Sequence, residues 1–586
     1  MKHYKKILGF ILLLPLVGCP PSTCEISPGW PIASEVFTTA QQQILPVALP
    51  ADTPLLDPAQ IALYAQYGYS DWIKGEGTNY GQVETLSYDK RTDLAPGYSG
   101  APNAARLLSF FSLSDIHISD KESPAQPLLV GWSAKFGATG ACSSAYSPAI
   151  VATTQVLDAA VQTINALNKQ TPFDFGISLG DDVNNCQYNE LRWFIDVMDG
   201  KFITPSSGAH DGSFSIDYQR PYKAAGLEKN IPWYQVIGNH DQFWMGSAYE
   251  NAKTMEAHIG NTVINIANDP NPSSEGVNSH GAYMGVVDGS TPYGDVIKAG
   301  PEEDFAVPPT VVADENRRSL ATFHSSSLNW MKEFFETTSQ PAGHGFTQAC
   351  IDSDFACYSF QPKSNVPLKI IVLDDTVKGE SQPNYARAEL DQARLDWLEA
   401  ELQEGQDNNK LMIIAAHIPV YPQKTFEASL GNMSIFSSKS VVNDLGLLAI
   451  LHGYPNLILW ISGHRHMNVV TPLPYDTSVE GQGPENSFWE VETASLRDFP
   501  QQFRAFDIRR NADNTLSIFV TDVDPAVTGD SPAAKSRGYA LASSRIFGAT
   551  AATLAKTDSG AYNAELVKQL TPQMQNVIAN SGTPLD

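Results

Sequence analysis

The chain repeats one pattern five times: a mainly apolar run stops abruptly at side chains that can bind a metal ion. These runs cover residues 106–114, 173–179, 233–237, 411–416 and 457–462. Short apolar runs bounded by glycine and polar residues are typical of buried β-strands. The sequence therefore predicts five core strands that each end in a polar group.

The residues between and after these strands predict an α/β fold. Leucine, isoleucine and valine recur at helical spacing over 157–167 and 395–402, and residues 328–335 also have a helical pattern. Further strands are predicted over residues 368–374, about 487–495, 503–509 and 515–522. Strands that alternate with helices indicate a sheet with parallel strands.

The polar groups at the strand ends can form a single site. They are Asp115 and His117, Asp181, Asn239 with His240 and Asp241, His417, and His464 with His466. The carboxyl ends of the strands in an open α/β sheet meet at one crevice. Each piece also has an ordinary explanation, because Gly-Asn is a common turn and a lone histidine is usually a core or surface group. Their shared position favours a joint site over coincidence.

The residue types in this set point to two metal ions. Carboxylates, imidazoles and an amide oxygen suit Mn, Fe or Zn, and no CxxC pair indicates a structural zinc site. Seven ligand residues are too many for one catalytic ion, but they fit two ions about 3.5–4 Å apart that share a carboxylate. His240 brings a proton that moves near neutral pH, and Asp241 brings a carboxylate to orient it.

The overall charge limits the partners. The 586 residues carry a formal net charge of −26, so we expect no nucleic-acid binding. An anionic substrate then requires a local cationic patch, which bound metal ions can provide.

The N-terminus has the features of a secretory signal peptide. Three lysines precede the apolar run 7–17, which is too short for a membrane span. Residues 16–19, Leu-Val-Gly-Cys, resemble the lipobox of bacterial lipoproteins, which implies cleavage before Cys19 and its lipidation. We therefore expect an exported cell-envelope protein, on the periplasmic or surface face of the outer membrane, that touches the membrane only through its lipid. Plain secretion with an incidental Cys19 is the alternative.

Export to an oxidising compartment would permit disulfides. The cysteines are Cys19, Cys24, Cys142, Cys186, Cys350 and Cys357. Cys350 and Cys357 lie seven positions apart in a predicted loop and form the disulfide that we expect. Cys142 with Cys186 is a weaker alternative.

The ordered set of motifs resembles the calcineurin-like metallophosphoesterase superfamily. The matching residues are Asp115-x-His117, Gly180-Asp181, Gly238-Asn239-His240-Asp241, His417 and Gly463-His464-x-His466, over about 60% of the chain. The resemblance implies a four-layer α/β/β/α sandwich with two mixed sheets and the site at their shared edge. By position it implies one metal ion on Asp115, His117, Asp181 and His466, and another on Asp181, Asn239, His417 and His464. Asp181 would bridge the two ions.

The resemblance also implies a reaction, in which a dimetal-bridging hydroxide attacks a phosphomonoester or phosphodiester. His240, held by Asp241, would protonate the leaving oxygen or stabilise the transition state. Asn184 stands where purple acid phosphatases have a tyrosine, which argues against a tyrosine-ligated ferric ion. Nucleotide and lipid-headgroup substrates stay open. The competing hypothesis is a non-catalytic cell-envelope protein that uses the same fold for binding.

The sequence divides into four parts. Residues 1–18 form the signal peptide, 19–105 a lipidated tether and N-terminal strap, 106–525 the metallophosphoesterase domain, and 526–586 a C-terminal extension. Residues from about 242 to 367 form a large insertion within the domain, and excursions of this length often shape a binding site. The oligomeric state stays open.

Overall fold

The fold is described from a computed structural model. It describes residues 29–56, 60–76, 88–128, 147–214, 216–246, 249–261, 283–284, 312–321, 328–376, 387–421, 436, 439–546, 554 and 559–585. The predicted signal peptide and lipidation site Cys19 lie outside these residues, as do Cys24 and Cys142. Within the described ranges, no helix combines the length and the apolar character needed to cross a membrane.

The protein is a mixed α/β structure, as predicted. Its strands are β1 (Gln42–Pro46), β2 (Trp72–Glu76), β3 (Asp89–Leu94), β4 (Asn103–Leu113), β5 (Pro127–Leu128), β6 (Phe175–Ser178), β7 (Phe202–Ile203), β8 (Tyr222–Lys223), β9 (Trp233–Gln235), β10 (Tyr283–Met284), β11 (Tyr358–Phe360), β12 (Leu368–Leu373), β13 (Leu411–Ala416), β14 (Leu457–Ser462), β15 (Val469–Leu473), β16 (Phe488–Glu492), β17 (Phe503–Asn511), β18 (Leu516–Val523), β19 (Asn563–Lys568) and β20 (Thr583–Pro584). Its α-helices are α1 (Leu63–Gln66), α2 (Thr153–Gln170), α3 (Tyr188–Met198), α4 (Ala252–Ile259), α5 (Leu328–Glu333), α6 (Gln348–Ser353), α7 (Gln392–Asp407), α8 (Asp444–Leu451), α9 (Pro532–Ile546), α10 (Ser559–Tyr562) and α11 (Pro572–Ile578).

Two large mixed sheets organise these elements. One has the strand order β11-β12-β13-β14-β16-β15, and the other has the order β3-β19-β18-β17-β4-β6-β9, with β20 also paired to β4. Strands β12, β13 and β14 are parallel in the first sheet, and β4, β6 and β9 are parallel in the second. The five strands that lead to the candidate site therefore lie in two parallel groups, so within each group the polar ends meet at one edge.

The two faces of strand β12 show how the core is divided. Ile370 and Val372 belong to the hydrophobic cluster that also contains Phe110 of β4. Ile371 and Leu373 belong to a second cluster with Leu398 of α7. Because side chains alternate across a strand, β12 packs toward the other sheet on one face and toward helices on the other. The four-layer order of the whole sandwich stays a prediction.

Some elements were not recognised in the sequence. Strand β19 lies in the C-terminal extension and pairs antiparallel with β18, in the interior of the larger sheet. Strand β11 lies within the predicted insertion and forms the edge of the smaller sheet. Both are short and carry polar residues, so hydrophobicity alone does not distinguish them from loops.

The predicted disulfide between Cys350 and Cys357 is wrong, because both are free thiols. Cys350 packs into the hydrophobic cluster between the sheets, whereas Cys357 packs into the cluster beneath α7. The Cys357 sulfur instead accepts a hydrogen bond from the backbone nitrogen of Asp374 at 3.3 Å. Cys186 is also a free thiol, and its Sγ contacts the carbonyl of Asp241 at 2.8 Å.

Candidate metal centre

The structure brings together all seven side chains that were predicted as metal ligands. Among the described residues, three groups of histidine and aspartate atoms, each within 4.8 Å of one another, could hold a cation: Asp115, His117 and His466; His117, Asp181 and His240; and Asp181, His417 and His464. These residues follow strands of both large sheets, so the joint site forms where the carboxyl ends of the two parallel groups meet.

The first cluster consists of Asp115, His117, Asp181 and His466. Nε2 of His466 lies 3.1 Å from Nε2 of His117 and 3.2 Å from Oδ1 of Asp115. Oδ2 of Asp181 lies 3.9 Å from Nε2 of His117. Four potential ligand atoms therefore face one small buried space.

The second cluster consists of Asp181, Asn239, His417 and His464. Nε2 of His417 lies 3.0 Å from Oδ1 of Asn239, 3.2 Å from Nδ1 of His464 and 3.3 Å from Oδ2 of Asp181. Asp181 Oδ2 is thus close to a histidine of each cluster, which is the position that a bridging carboxylate requires.

The backbone at this site is held in an unfavourable conformation. Asp115, His117, Asp181, His464 and His466 all have positive φ angles, between 49° and 70°. A sparsely populated conformation of this kind costs a residue with a Cβ about 1–3 kcal/mol, and residues in such conformations cluster at functional sites. The strain is therefore concentrated on five of the seven predicted ligands.

Two glycines allow the strand ends to approach each other. A Cβ on Gly238 would lie 2.2 Å from Oδ1 of Asp181, and a Cβ on Gly180 would lie 2.6 Å from the backbone nitrogen of Gly238. Gly180 also has a φ of +93°, which glycine adopts without a steric penalty. These contacts explain why a glycine precedes Asp181 and Asn239.

Hydrogen bonds on the far side of two imidazoles point their other nitrogens into the site. Nδ1 of His417 donates to the carbonyl of Leu179 at 2.8 Å, which directs Nε2 toward Asn239 and Asp181. Nδ1 of His466 lies 2.8 Å from Oδ2 of Asp498. An imidazole that donates one N–H to a carbonyl or carboxylate presents its other nitrogen as a metal ligand.

His240 is held differently from the way we expected. Its Nδ1 donates to the carbonyl of Asn184 at 2.7 Å, and its ring stands edge-on to His117 at 4.5 Å between centroids. The carboxylate of Asp241 instead accepts hydrogen bonds from the backbone nitrogens of Asp181, Asp182, Val183 and Gly238, at 2.8–3.3 Å. Asp241 thus shapes the loop around Asp181, because a carboxylate among amides fixes the backbone.

Burial and neighbouring charges set the protonation of the histidines. Burial lowers the pKa of His117 and of His464 well below the usual value, which keeps both rings neutral. Burial, the largest single cause, would lower the pKa of His417, but the charges of Asp181, Asp115 and Asp375 and the hydrogen bond to Asp181 together raise it to about 10. Burial is the largest single cause at Asp181 and would raise its pKa, but His417 and His240 together lower it. A cation bound here has to displace the proton on His417.

The donor set fits divalent cations. Oδ1 of Asp115 is buried and makes no hydrogen bond of good geometry among the described residues, although Nε2 of His466 lies 3.2 Å away. Such an atom costs about 1–3 kcal/mol unless another group binds it. Carboxylate, imidazole and amide ligands suit Mn, Fe and Zn.

Two further acidic residues join the site by contacts that the sequence pattern did not indicate. Asp498 contacts His466, although it lies 32 positions further along the chain. Asp182, which follows Asp181 in the chain, is buried and accepts a hydrogen bond from Ser178 at 2.5 Å. Burial, followed by the nearby charge of Asp241, raises the pKa of Asp182 well above its ordinary value.

Two arginines near the motifs are structural. Arg465 forms a buried ion pair with Glu492, and Arg497 donates to the carbonyl of His117 at 2.6 Å. Both side chains are at most 5% exposed. The contacts of Arg465 and Arg497 within the fold therefore favour pairing in the core over contact with a substrate.

Comparison with known proteins gives distant likenesses only. No family model matches the chain, and no curated protein matches it. The chain is similar to the crystal structure of a dimetal phosphatase from Danio rerio, with a TM-score of 0.35 and 11% identity over 72% of this chain and 100% of that one. It is also similar to the purple acid phosphatase PPD1 from yellow lupin (Lupinus luteus) seeds, with a TM-score of 0.31 and 11% identity over 72% of this chain and 52% of that one. A structure of PhoD matches with a TM-score of 0.28 and 10% identity, over 73% of this chain and 72% of that one.

Proposed function

We propose that this chain is a dinuclear metal-dependent phosphoric ester hydrolase, of the metallophosphoesterase type, that cleaves a phosphomonoester or phosphodiester. One observation carries the proposal: two four-residue clusters share Asp181, whose Oδ2 lies 3.9 Å from His117 Nε2 and 3.3 Å from His417 Nε2. A binding protein has no need for two adjacent clusters joined by one carboxylate.

The first ion would be held by Asp115, His117, Asp181 and His466, and the second by Asp181, Asn239, His417 and His464. When bound, two divalent cations supply Lewis acidity, because they lower the pKa of water and neutralise the charge of a phosphate group. In a chain with a net charge of −26, they would also provide the positive charge that attracts an anionic substrate.

His240 is the proton-transfer residue in this proposal. The Asn184 carbonyl holds Nδ1–H, so Nε2 is the nitrogen that exchanges a proton with the reacting group. Burial lowers the pKa of His240. An anionic phosphate beside the ring would raise this pKa again, and the imidazolium could then donate its Nε2 proton to the leaving oxygen.

The substrate class within the phosphate esters is set by groups around the clusters. The region from about 242 to 367 is long enough to form such a binding surface. Phosphomonoesters, nucleotides and lipid-headgroup diesters share the same phosphoryl chemistry, so the seven ligands do not distinguish among them.

The test is metal analysis combined with a substrate panel. The purified protein should contain two ions per chain after incubation with Mn²⁺, and should hydrolyse para-nitrophenyl phosphate or bis-para-nitrophenyl phosphate. Asp181→Asn serves as the matched inactive control. Absence of hydrolysis on both substrates and on a nucleotide panel would favour the competing hypothesis, a non-catalytic envelope protein.

We also propose that the protein is exported and anchored by a lipid on Cys19. The support is the lysine-rich start, the apolar run 7–17 and the lipobox-like residues 16–19. Cells labelled with a radioactive fatty acid should yield a labelled protein, and Cys19→Ser should remove the label. An unlabelled wild-type protein would contradict the anchor without affecting the proposed activity.

A further inference from the structure

One short turn contacts three of the four residues of the first cluster. This 495–498 turn follows strand β16 in the chain. Oγ of Ser495 donates to the carbonyl of Asp115 at 2.6 Å, and Nη1 of Arg497 donates to the carbonyl of His117 at 2.6 Å. Oδ2 of Asp498 lies 2.8 Å from Nδ1 of His466. The contacts come from three different side chains within four consecutive residues.

The three residues that the turn contacts have a strained backbone. Asp115, His117 and His466 have φ angles of 50°, 49° and 56°. A strained backbone persists only where the surrounding structure holds it in place. The hydrogen bonds to the carbonyls of Asp115 and His117 and to the ring of His466 provide this restraint.

The turn is fixed by a hydrogen bond within it and by contacts to the residues that follow it. Within the turn, the backbone nitrogen of Arg497 donates to Oγ of Ser495 at 2.8 Å. From helix α9, Nε of Arg537 donates to the carbonyl of Pro500 at 3.0 Å, and Oγ of Ser536 accepts from Nε2 of Gln501 at 3.0 Å. These groups are buried, so the C-terminal segment connects through the turn to the first cluster.

Two residues of the second cluster, His417 and Asn239, are held by other groups. His417 is oriented by the carbonyl of Leu179, and Nδ2 of Asn239 donates to the carbonyl of Gly246 at 3.0 Å. These supports are main-chain carbonyls from other loops. A change in the 495–498 turn should therefore affect the two clusters unequally.

We infer that the 495–498 turn positions the first metal ion, and that Asp498 is the positioning residue for His466. The inference rests on the proposed metal centre. Asp498 holds the Nδ1–H tautomer, so that the Nε2 lone pair of His466 faces Asp115 and His117. A carboxylate behind a ligating imidazole also increases its basicity, and removal of such a group typically weakens metal affinity about 10–100-fold.

The experiment is a Mn²⁺ titration of the full-length protein, followed by electron paramagnetic resonance. Wild type should bind two ions and give the signal of an exchange-coupled pair. Asp498→Asn should bind one ion with unchanged affinity and the other about 10–100-fold more weakly, so that the isolated-ion signal appears at intermediate Mn²⁺. Asp174→Asn is the matched control, because Asp174 precedes β6 at the end opposite to Asp181 and accepts a hydrogen bond from Ser109.

Ser495→Ala is the second variant, in case Asp498→Asn does not fold. It removes a single hydroxyl, and it should also weaken one of the two ions selectively. If Asp498→Asn folds and binds both ions with wild-type affinity, the inference is overturned and the proposed function stays intact. If Asp498→Asn does not fold, wild-type affinities in Ser495→Ala have the same consequence. A wild-type protein that binds no Mn²⁺ would overturn both.

Discussion

The two halves of the candidate centre are built from similar ligands but are supported in different ways. In the first cluster, the rear nitrogen of His466 meets the carboxylate of Asp498. In the second cluster, the rear nitrogen of His417 meets the main-chain carbonyl of Leu179. A side-chain support can be removed by one substitution, whereas a main-chain carbonyl is present whatever the residue.

The two clusters also differ in their backbone conformation. All four residues of the first cluster have positive φ angles, but Asn239 and His417 of the second cluster do not. The first cluster therefore combines more strain with a support that depends on particular side chains. We expect it to be the more easily lost of the two.

The largest effect should come from the residue that both clusters share. Asp181→Asn keeps the side-chain shape but replaces a bridging carboxylate oxygen with an amide group, which cannot serve two cations equally. We expect loss of both ions and a decrease in turnover beyond the roughly 10–100-fold typical of a supporting group. Elemental analysis and hydrolysis of para-nitrophenyl phosphate measure these quantities. Two tightly bound ions in this variant would show that Asp181 does not bridge.

The next test shows whether the two clusters bind their ions separately. His466→Ala should empty only the first cluster and His464→Ala only the second, so each variant should retain one ion. Turnover should fall strongly in both, because a pair of ions acts as a unit and single removals are not additive. Calorimetric titration with Mn²⁺ gives the stoichiometry, and Asp174→Asn provides the reference. If either variant lost both ions or neither, the division into two clusters would be incorrect.

His240 should affect turnover without affecting either cluster. His240→Ala is expected to retain two ions and to lose about 10²–10⁴-fold in turnover, the usual contribution of a general acid or base. Because His240 also belongs to a possible metal group, with His117 and Asp181, ion content has to be measured on the same sample. Full activity would remove the catalytic role, and a missing ion would reassign His240 as a ligand.

The smallest effect on the clusters is expected from His344, which lies against the start of strand β9. His344 stacks on Trp233 at 3.5 Å between ring centroids. Burial lowers its pKa from 6.5 to about 4. Between these values the unfolded chain binds more protons, so the free energy of unfolding falls as the pH decreases from about 6.5 to about 4, by about 3 kcal/mol in total.

His344→Asn should remove this part of the pH dependence, since asparagine does not titrate and tolerates the positive φ of 46° at this position. Urea unfolding at several pH values measures the effect, and Mn²⁺ stoichiometry at pH 7 should stay at the wild-type value. Parallel pH profiles for variant and wild type would contradict the assignment.

The strand ends were predictable because two simple rules coincide there. Strand β13 is apolar along its whole length and β14 is apolar up to Ser462, so His417 and His464 mark an abrupt change of polarity. Parallel strands then bring these changes to a common edge. The convergence of Asp115, Asp181 and Asn239 follows from the same rules.

The remaining features depend on contacts that no local pattern encodes. Asp498 resembles any loop aspartate until the turn folds back on His466. Asp241 follows His240 directly, yet its carboxylate points to four backbone amides, because the tight loop around Asp181 leaves those donors unpaired. Cys350 and Cys357 are near in sequence, but they pack into different clusters.

The positive φ angles at the candidate ligands have a consequence for stability. At Asp115, His117, Asp181, His464 and His466, glycine would relieve the steric cost that the present side chains bear. Each such substitution would remove about 1–3 kcal/mol of conformational strain. The five side chains therefore oppose the stability of the fold, and a bound cation would offset part of their steric cost.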